Sequence, residues 1–121
     1  MTVRDPSPVV QPVRAALVPQ SLPERGLLRK ILAQGPTLML VEHRMEAGWD
    51  GARHSHPHEQ LVLVLEGELR VSCGEQPAFA ARGGDSFVVP GGVAHQVSAL
   101  TAARVMDVFT PIRDDYQEAK P

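Results

Sequence analysis

Glycine and proline interrupt the chain so often that only short elements of secondary structure fit between them. The 121 residues include 10 glycines and 11 prolines. From Gly26 onward these residues separate short apolar runs at intervals of about 8–12 residues, which is the spacing of short strands joined by turns. The runs at 60–65 and 68–73 flank Glu66 and Gly67. Two strand-like runs across such a turn predict a β-hairpin.

The predicted strands all lie between Gly26 and Pro111. Stretches free of glycine and proline that are long enough for a helix are few, and most of them read as strands. We predict strands at residues 29–32, 37–45, 60–65, 68–73, 77–81, 86–89, 94–100 and 103–110. Regularly spaced short strands are typical of a sandwich or a small barrel, and closing a barrel removes exposed sheet edges. The sequence therefore predicts an all-β fold.

Composition and charge fit one globular domain and exclude several kinds of partner. Hydrophobic residues make up 43% of the chain and charged residues 21%, so a single domain of this length can bury a core. The formal net charge is -2 and lysines and arginines form no run, which argues against a nucleic-acid partner. The single cysteine, Cys73, cannot form an internal disulfide, and the first residues contain no apolar stretch typical of a signal peptide or membrane span. We therefore expect a cytoplasmic protein that binds neither nucleic acid nor membrane.

Proline content divides the chain into an arm, a domain and a tail. Residues 1–25 contain five of the prolines. Because proline cannot donate to a strand ladder, this segment is predicted to be an extended arm or an edge strand. Residues 26–115 hold the predicted strands and form the β-barrel domain, and residues 116–121 form a C-terminal tail. The arm is a candidate for contact with a neighbouring subunit.

Histidines are concentrated in one short segment. His54, His56 and His58 lie close together, whereas His95 lies far downstream. Alternate residues of an extended chain point to the same face, so His54 and His56 project together, as two imidazoles must to bind one ion. A solvated cluster that binds nothing is the alternative. Because Pro57 disturbs the strand, we expect His58 behind the ligands or at the surface.

Two motifs with fixed spacing contain these histidines. The first is Gly48-x5-His54-x-His56-x3-Gln60-x6-Gly67, and the second is Gly84-x5-Pro90-x-Gly92-x2-His95. Together they resemble the paired motifs of the cupin family, small antiparallel β-barrels with a metal at the mouth. The resemblance implies a single RmlC-like jelly roll that binds one divalent transition metal: zinc, nickel, manganese, iron or copper. It places the metal ligands at His54, His56, Gln60 and His95.

The sequence departs from the commonest cupin pattern at two positions. Gln60 stands where glutamate is usual, and Ala99 stands where asparagine often ends the second motif. Three imidazoles and an amide are all neutral, so they would leave the charge of a divalent ion uncompensated. This ligand set favours an anionic substrate. It also weakens, without removing, the interpretation as an iron oxygenase with two histidines and one carboxylate.

The end of the last predicted strand holds a second group of candidate residues. Asp107 shares a strand face with apolar side chains, where a carboxylate is costly unless it is paired. A salt bridge to Arg104 or Arg113 is one interpretation, and a general acid or base at the barrel mouth is the other. Arg113 either binds a carboxylate bidentately or is an ordinary exposed arginine.

The closing string Asp107-Val108-Phe109-x-Pro111-x-Arg113 adds a narrower resemblance. With the stretches at 29–32, 54–60, 64–67 and 84–90, it resembles the small cupins of pectin degradation, the KdgF type, over residues 22–115. The resemblance implies an enzyme that converts 4,5-unsaturated uronates, small anionic sugars, into linear 5-keto-4-deoxyuronate. It places the catalytic residues at Asp107, Phe109 and Arg113, and small cupins of this kind imply a homodimer.

Two other functions remain open. One is a cupin dioxygenase that uses the same four ligands, and the other is a non-catalytic cupin that binds a small ligand. His43 lies in an apolar strand, where a lone histidine is more often packed or hydrogen-bonded than a ligand. We therefore expect His43 to lie outside the site.

Overall fold

The structure is a computed structural model that describes residues 9–117. The first eight residues of the predicted arm and the last four of the predicted tail lie outside this range. The strands are β1 (Ser21–Glu24), β2 (Leu27–Gln34), β3 (Met39–Met45), β4 (Glu59–Glu66), β5 (Glu68–Cys73), β6 (Phe79–Arg82), β7 (Ser86–Val89), β8 (His95–Ala99) and β9 (Ala103–Thr110). One turn of 3-10 helix, Ala15–Leu17, and the short helix α1 (Asp114–Gln117) complete the described chain. The predicted all-β fold is confirmed.

The strands form two antiparallel sheets that pack into a jelly roll. The larger sheet has the order β1-β2-β3-β9-β4-β7, and the smaller has the order β6-β5-β8. Strand β9 lies between β3 and β4, so the last strand occupies the middle of the larger sheet. The histidine segment, residues 54–58, lies between β3 and β4 in the sequence. Because β9 pairs with both of these strands, its last residues lie beside the strand before this segment and the strand after it.

Alternation along each strand directs one set of side chains into the space between the sheets. In β9, Ala103, Val105, Asp107 and Phe109 are buried and the residues between them are more exposed. Apolar side chains of both sheets form the main core, which includes Val62, Val64, Leu69, Val71 and Val105. A smaller cluster contains Met39, Val41 and Phe109. Asp107 is therefore a carboxylate in an otherwise apolar row of β9.

The hairpin between β4 and β5 requires glycine. Gly67 has a φ of 89°, in the left-handed region that other residues rarely adopt. A Cβ at this position would lie 2.2 Å from the carbonyl oxygen of Ala102. The hairpin therefore packs against the connection between β8 and β9 only because residue 67 has no side chain.

Segments near both ends of the described chain contact the barrel, although residues 9–17 are exposed. Strand β1, within the predicted arm, pairs with β2 at the edge of the larger sheet, and upstream of it Lys30 Nζ donates a hydrogen bond to the Ala15 carbonyl at 3.0 Å. Tyr116, in the predicted tail, belongs to α1, and its ring packs edge-on against Phe109 with centroids 5.6 Å apart. Neither described helix is long and apolar enough to cross a membrane.

Candidate metal centre and its pocket

A cavity of about 370 Å³ opens between the two sheets. This volume lies in the usual range for sites that bind small molecules, about 300–1,000 Å³. Apolar side chains from both sheets, among them Val62, Leu69 and Val105, line part of it. The polar part of the wall includes three candidate metal ligands, His54, Gln60 and His95. It also includes Glu24 and a second group formed by Arg29, His43, Asp107, Arg113, Asp115 and Tyr116.

Three histidines from two segments meet beside this cavity, and two of them, His54 and His95, line it. His54 and His95 are joined by a pair of backbone hydrogen bonds, at 3.0 and 2.8 Å, which hold the histidine segment against β8. His56 is tied to the loop before β8, because Gly92 N donates to its carbonyl at 2.8 Å. One ring nitrogen from each of His54, His56 and His95 lies within 4.8 Å of the other two. The predicted convergence of these three side chains is confirmed.

Local backbone carbonyls determine which ring nitrogen of each histidine carries hydrogen. Nδ1 of His54 lies 2.9 Å from the Ala52 carbonyl, and Nδ1 of His95 lies 3.0 Å from the Val93 carbonyl. Nδ1 of His56 lies 3.1 Å from the carbonyl of His58. A carbonyl only accepts, so each Nδ1 is the donor and each Nε2 keeps its lone pair. Such hydrogen bonds orient metal-binding imidazoles, and the donor set therefore fits a transition metal.

Burial keeps two of these imidazoles neutral. Desolvation lowers the pKa of His56 and of His95 below the ordinary value of 6.5. The positive charge of Arg113 lowers both pKa values further. Because only the neutral ring can bind a metal, the two histidines remain competent ligands at a lower pH than exposed histidines would.

Gln60, on β4, lies beside the three histidines with its oxygen turned toward them. Its Nε2 donates to Oδ1 of Asp107 at 2.9 Å, and its Oε1 lies 3.1 Å from Nε2 of His56. Since Nδ1 of His56 holds the hydrogen, this contact joins two lone pairs, and a cation bound to both atoms would make it favourable. The donor chemistry of Gln60 thus fits the same ion as the histidines.

Asp107 is held by hydrogen bonds on both carboxylate oxygens. Its Oδ2 lies 2.6 Å from Nδ1 of His43, and its Oδ1 accepts from Gln60. Arg29 Nε donates to Nε2 of His43 at 2.9 Å, so His43 carries its hydrogen on Nδ1 and donates it to Asp107. Asp107 therefore faces the cavity with both oxygens held by hydrogen bonds, and Arg29, His43 and Gln60 position it.

Arg113, Phe109 and Tyr116 pack against one another. The Arg113 guanidinium is buried and forms two hydrogen bonds with Asp115, from Nε at 2.9 Å and from Nη2 at 2.6 Å. Burial opposes the Arg113 charge, but these bonds and nearby charges raise its pKa overall, and they lower the pKa of Asp115. Phe109 is 1% exposed and packs edge-on against His56 and Tyr116.

Several side chains lie where the sequence alone did not place them. Asp107 pairs with His43 rather than with Arg104 or Arg113, and Arg104 instead contacts Glu42 and Glu66. The alternative of an exposed Arg113 is wrong, since this side chain is buried. His43 lines the cavity, so its expected place outside the site is corrected, although it is hydrogen-bonded as predicted.

His58 is half-buried behind the metal ligands. Its ring packs edge-on against His56 and Phe109, and its Nε2 donates to the carbonyl of Ile112 at 3.2 Å. Sequence reasoning missed Arg29, His43 and Tyr116 as pocket residues. Alternation gives the faces of each strand separately, and only the pairing of β2 with β3 and of β3 with β9 places Arg29 and His43 on the same inner face as Asp107, so no local signal identified them.

A family model described as "Cupin domain" matches residues 41–109, more than half of the chain. The chain belongs to the cupin family. The matched segment includes all four candidate metal ligands of this cupin and ends at Phe109. No curated protein matches the sequence.

Solved structures agree with this assignment. An RmlC-like cupin from Shewanella frigidimarina is 30% identical with a TM-score of 0.83, over 89% of this cupin and 96% of that chain. KdgF from a Halomonas species is 32% identical with a TM-score of 0.82, over 88% of this cupin and 99% of that chain. The polyketide cyclase RemF from Streptomyces resistomycificus is 17% identical with a TM-score of 0.75, over 84% of this cupin and 80% of that chain, and shares the fold alone.

Proposed function

We propose that this cupin is a metal-dependent enzyme that opens the ring of 4,5-unsaturated uronates to give linear 5-keto-4-deoxyuronate. The observation that carries the proposal is a cluster of three histidines, two of which line the cavity beside Gln60 and a positioned Asp107. The 32% identity to KdgF and the closing string of β9 support the same activity. A cavity of about 370 Å³ is large enough for a monosaccharide-sized ligand.

Four side chains would hold the metal: His54, His56, Gln60 and His95. When bound, a divalent transition metal supplies a Lewis acid that polarises an oxygen of the substrate. The four side chains are all neutral, so the site would keep the full charge of the ion and favour an anionic sugar over a neutral one. This charge is one reason to prefer a uronate as substrate.

Asp107 would move the proton that ring opening requires. Its carboxylate accepts hydrogen bonds from His43 and Gln60 and is 3% exposed. Asp107 would take the proton of the hydroxyl on the anomeric carbon while the bond between that carbon and the ring oxygen breaks, which leaves an aldehyde at C1 and an enolate at C5. Asp107 would then return the proton to C4 as the enolate becomes the ketone, so the reaction is an isomerisation with no net change in protons.

Phe109 and Arg113 would shape the pocket around this carboxylate. Phe109 packs edge-on against the rings of His56 and Tyr116 and would restrict the positions of both. Arg113 adds positive charge beside Phe109, with its guanidinium 5.0 Å from the ring centroid. Both residues would therefore keep the site ordered and electropositive around an anionic sugar.

The assay that tests the proposal follows the ultraviolet absorbance of a lyase-generated unsaturated uronate. Metal-loaded protein should accelerate the loss of this absorbance over the spontaneous reaction. Asp107→Asn should lower kcat by about 100-fold or more, because general acid–base groups contribute about 10²–10⁴-fold, and should leave the metal content unchanged. Asp85→Asn changes an exposed turn residue far from the cavity and should leave the rate unchanged.

Two results would reject the proposal or part of it. No acceleration by metal-loaded wild-type protein would reject the uronate activity, and oxygen uptake with candidate substrates would then test a dioxygenase. If the wild type accelerates the reaction and Asp107→Asn is equally active, the uronate activity stands and only the assignment of proton transfer to Asp107 is rejected.

A further inference from the structure

Two guanidinium groups reach the cavity, and Tyr116 contacts both. The guanidinium carbon of Arg29 lies 3.6 Å from the Tyr116 ring centroid, and that of Arg113 lies 4.2 Å from it. Their hydrogen-bonding states differ. Arg113 already binds a carboxylate of its own chain, because Nε and Nη2 both donate to Asp115. The bidentate edge of Arg113 is therefore occupied by α1.

Arg29 presents an edge that no described residue uses. Its Nε donates to His43, but its two terminal nitrogens form no hydrogen bond or ion pair with any of residues 9–117. The Arg29 side chain lines the cavity, and burial lowers its pKa because its charge is desolvated there. An anion that enters the cavity would form charge-assisted hydrogen bonds with these terminal nitrogens and so stabilise the desolvated guanidinium.

Two contacts orient Arg29 toward one kind of ligand. The bond to His43 fixes the Nε side of the guanidinium, and stacking on Tyr116 fixes its plane. The remaining edge, with Nη1 and Nη2 side by side, matches the spacing of the two oxygens of a carboxylate. Through His43, the same guanidinium is also connected to Asp107.

We propose that Arg29 binds the carboxylate of the uronate and thereby sets the specificity of the site for acid over neutral sugars. The inference rests on the proposed function, because it assigns a contact to that substrate. In an unsaturated uronate the carboxylate is attached to C5, the carbon on which the enol forms. Binding it at Arg29 places that carbon beside the Arg29-His43-Asp107 chain of hydrogen bonds, on the side of the cavity that holds the proton acceptor.

The test compares two substrates in matched variants. The unsaturated uronate and its methyl ester are assayed with wild-type protein, Arg29→Gln, Arg29→Lys, Arg113→Gln and the distant control Arg82→Gln, which alters an exposed pair with Glu68. A charge-assisted hydrogen bond contributes about 1.5–3 kcal/mol, so kcat/KM of the wild type should favour the acid by about 10-fold to 100-fold. Arg29→Gln should lower this ratio by about tenfold or more, mainly through KM for the acid. Because Arg29 also donates to His43, which positions Asp107, the ratio of acid to ester and not either rate alone is the readout.

The other variants distinguish recognition from structure. Arg29→Lys keeps the charge and should keep part of the preference for the acid, and Arg82→Gln should keep all of it. Equal losses with acid and ester in Arg29→Gln would show a purely structural role and overturn the inference. Loss of the preference in Arg113→Gln, with the preference intact in Arg29→Gln, would assign the carboxylate to Arg113 instead.

A binding measurement separates this inference from the proposed function. Galacturonate, a saturated uronate that cannot react, is titrated into metal-loaded protein by calorimetry, with its methyl ester as the neutral probe. Arg29→Gln should weaken galacturonate binding by about tenfold or more and leave the ester unaffected. Galacturonate binding that is equal in wild type and Arg29→Gln would overturn the inference even if the enzyme turns over unsaturated uronates.

Discussion

Metal binding at the candidate centre would depend on which ring nitrogen of each of three imidazoles carries the hydrogen. In His54, His56 and His95 the acceptor for Nδ1–H is a carbonyl only two positions away in the sequence. The tautomer is therefore set by the local backbone and not by distant packing. This is why a short motif suffices to present three Nε2 lone pairs to one point, once the backbone pairing of His54 with His95 joins the two motifs.

The same reasoning separates a ligand from a neighbouring histidine. His95→Gln removes one of three converging nitrogens and should weaken metal binding by at least about tenfold, whereas His58→Gln should leave it unchanged because His58 Nε2 donates to the Ile112 carbonyl. Zinc titration of both purified variants, with bound metal measured by mass spectrometry, checks the prediction. Equal loss of zinc from the two variants would contradict the assignment of His58.

At the scale of elements, α1 closes one side of the cavity with the only tyrosine of the chain, Tyr116. Burial raises the pKa of this phenol above its ordinary value of 10.0, although Arg29 and Arg113 lower it. In the near ultraviolet, the native protein should therefore ionise its phenol at a higher pH than the same protein in denaturant. Coincident titrations would mean that α1 does not pack on the barrel as described.

The raised pKa also has a consequence for stability. Above about pH 10 the unfolded chain holds fewer protons at Tyr116 than the native protein does, so the free energy of unfolding falls as the pH rises. The contribution of Tyr116 to the free energy of unfolding is complete below the ordinary pKa of the phenol. It is lost as the pH rises through the raised pKa of the native protein. Denaturant unfolding at increasing alkaline pH should show this decline, and Tyr116→Phe should reduce it.

Strands were predictable from the sequence, and contacts between them were not. The predicted strand at 103–110 coincides with β9, and the one at 37–45 differs from β3 by only two residues, because alternation and turn residues act locally. Alternation gives the face of a residue but not its partner on the next strand. The hydrogen bond between His43 and Asp107 depends on the β3–β9 register, which pairs Val41 with Asp107, and no local pattern specifies it. Helix α1 is too short to produce a periodic signal.

Considered as a whole, the molecule has a polar cavity between its sheets and an apolar outer face on the larger one. Along this outer face Leu61 pairs with Val88 on one side and with Val108 on the other, and Val108 also pairs with Leu40. Leu61 is 43% exposed and Val88 is 51% exposed. Exposed apolar rows of this kind mark contact surfaces in soluble proteins.

We expect this face to form the homodimer, because a two-fold contact brings a surface against a copy of itself and an uncharged apolar row is complementary to itself. Light scattering should give about twice the chain mass of 13.1 kDa for the wild type. Leu61→Lys places a charge at the centre of the row and should give the monomer mass, while Leu100→Lys, at an exposed leucine outside this face, should not.

Because Leu61 points away from the cavity, the Leu61→Lys monomer should still bind zinc. A wild type of monomer mass would show that the face does not dimerise, and loss of zinc from Leu61→Lys would show that the variant disturbs the barrel as well as the contact.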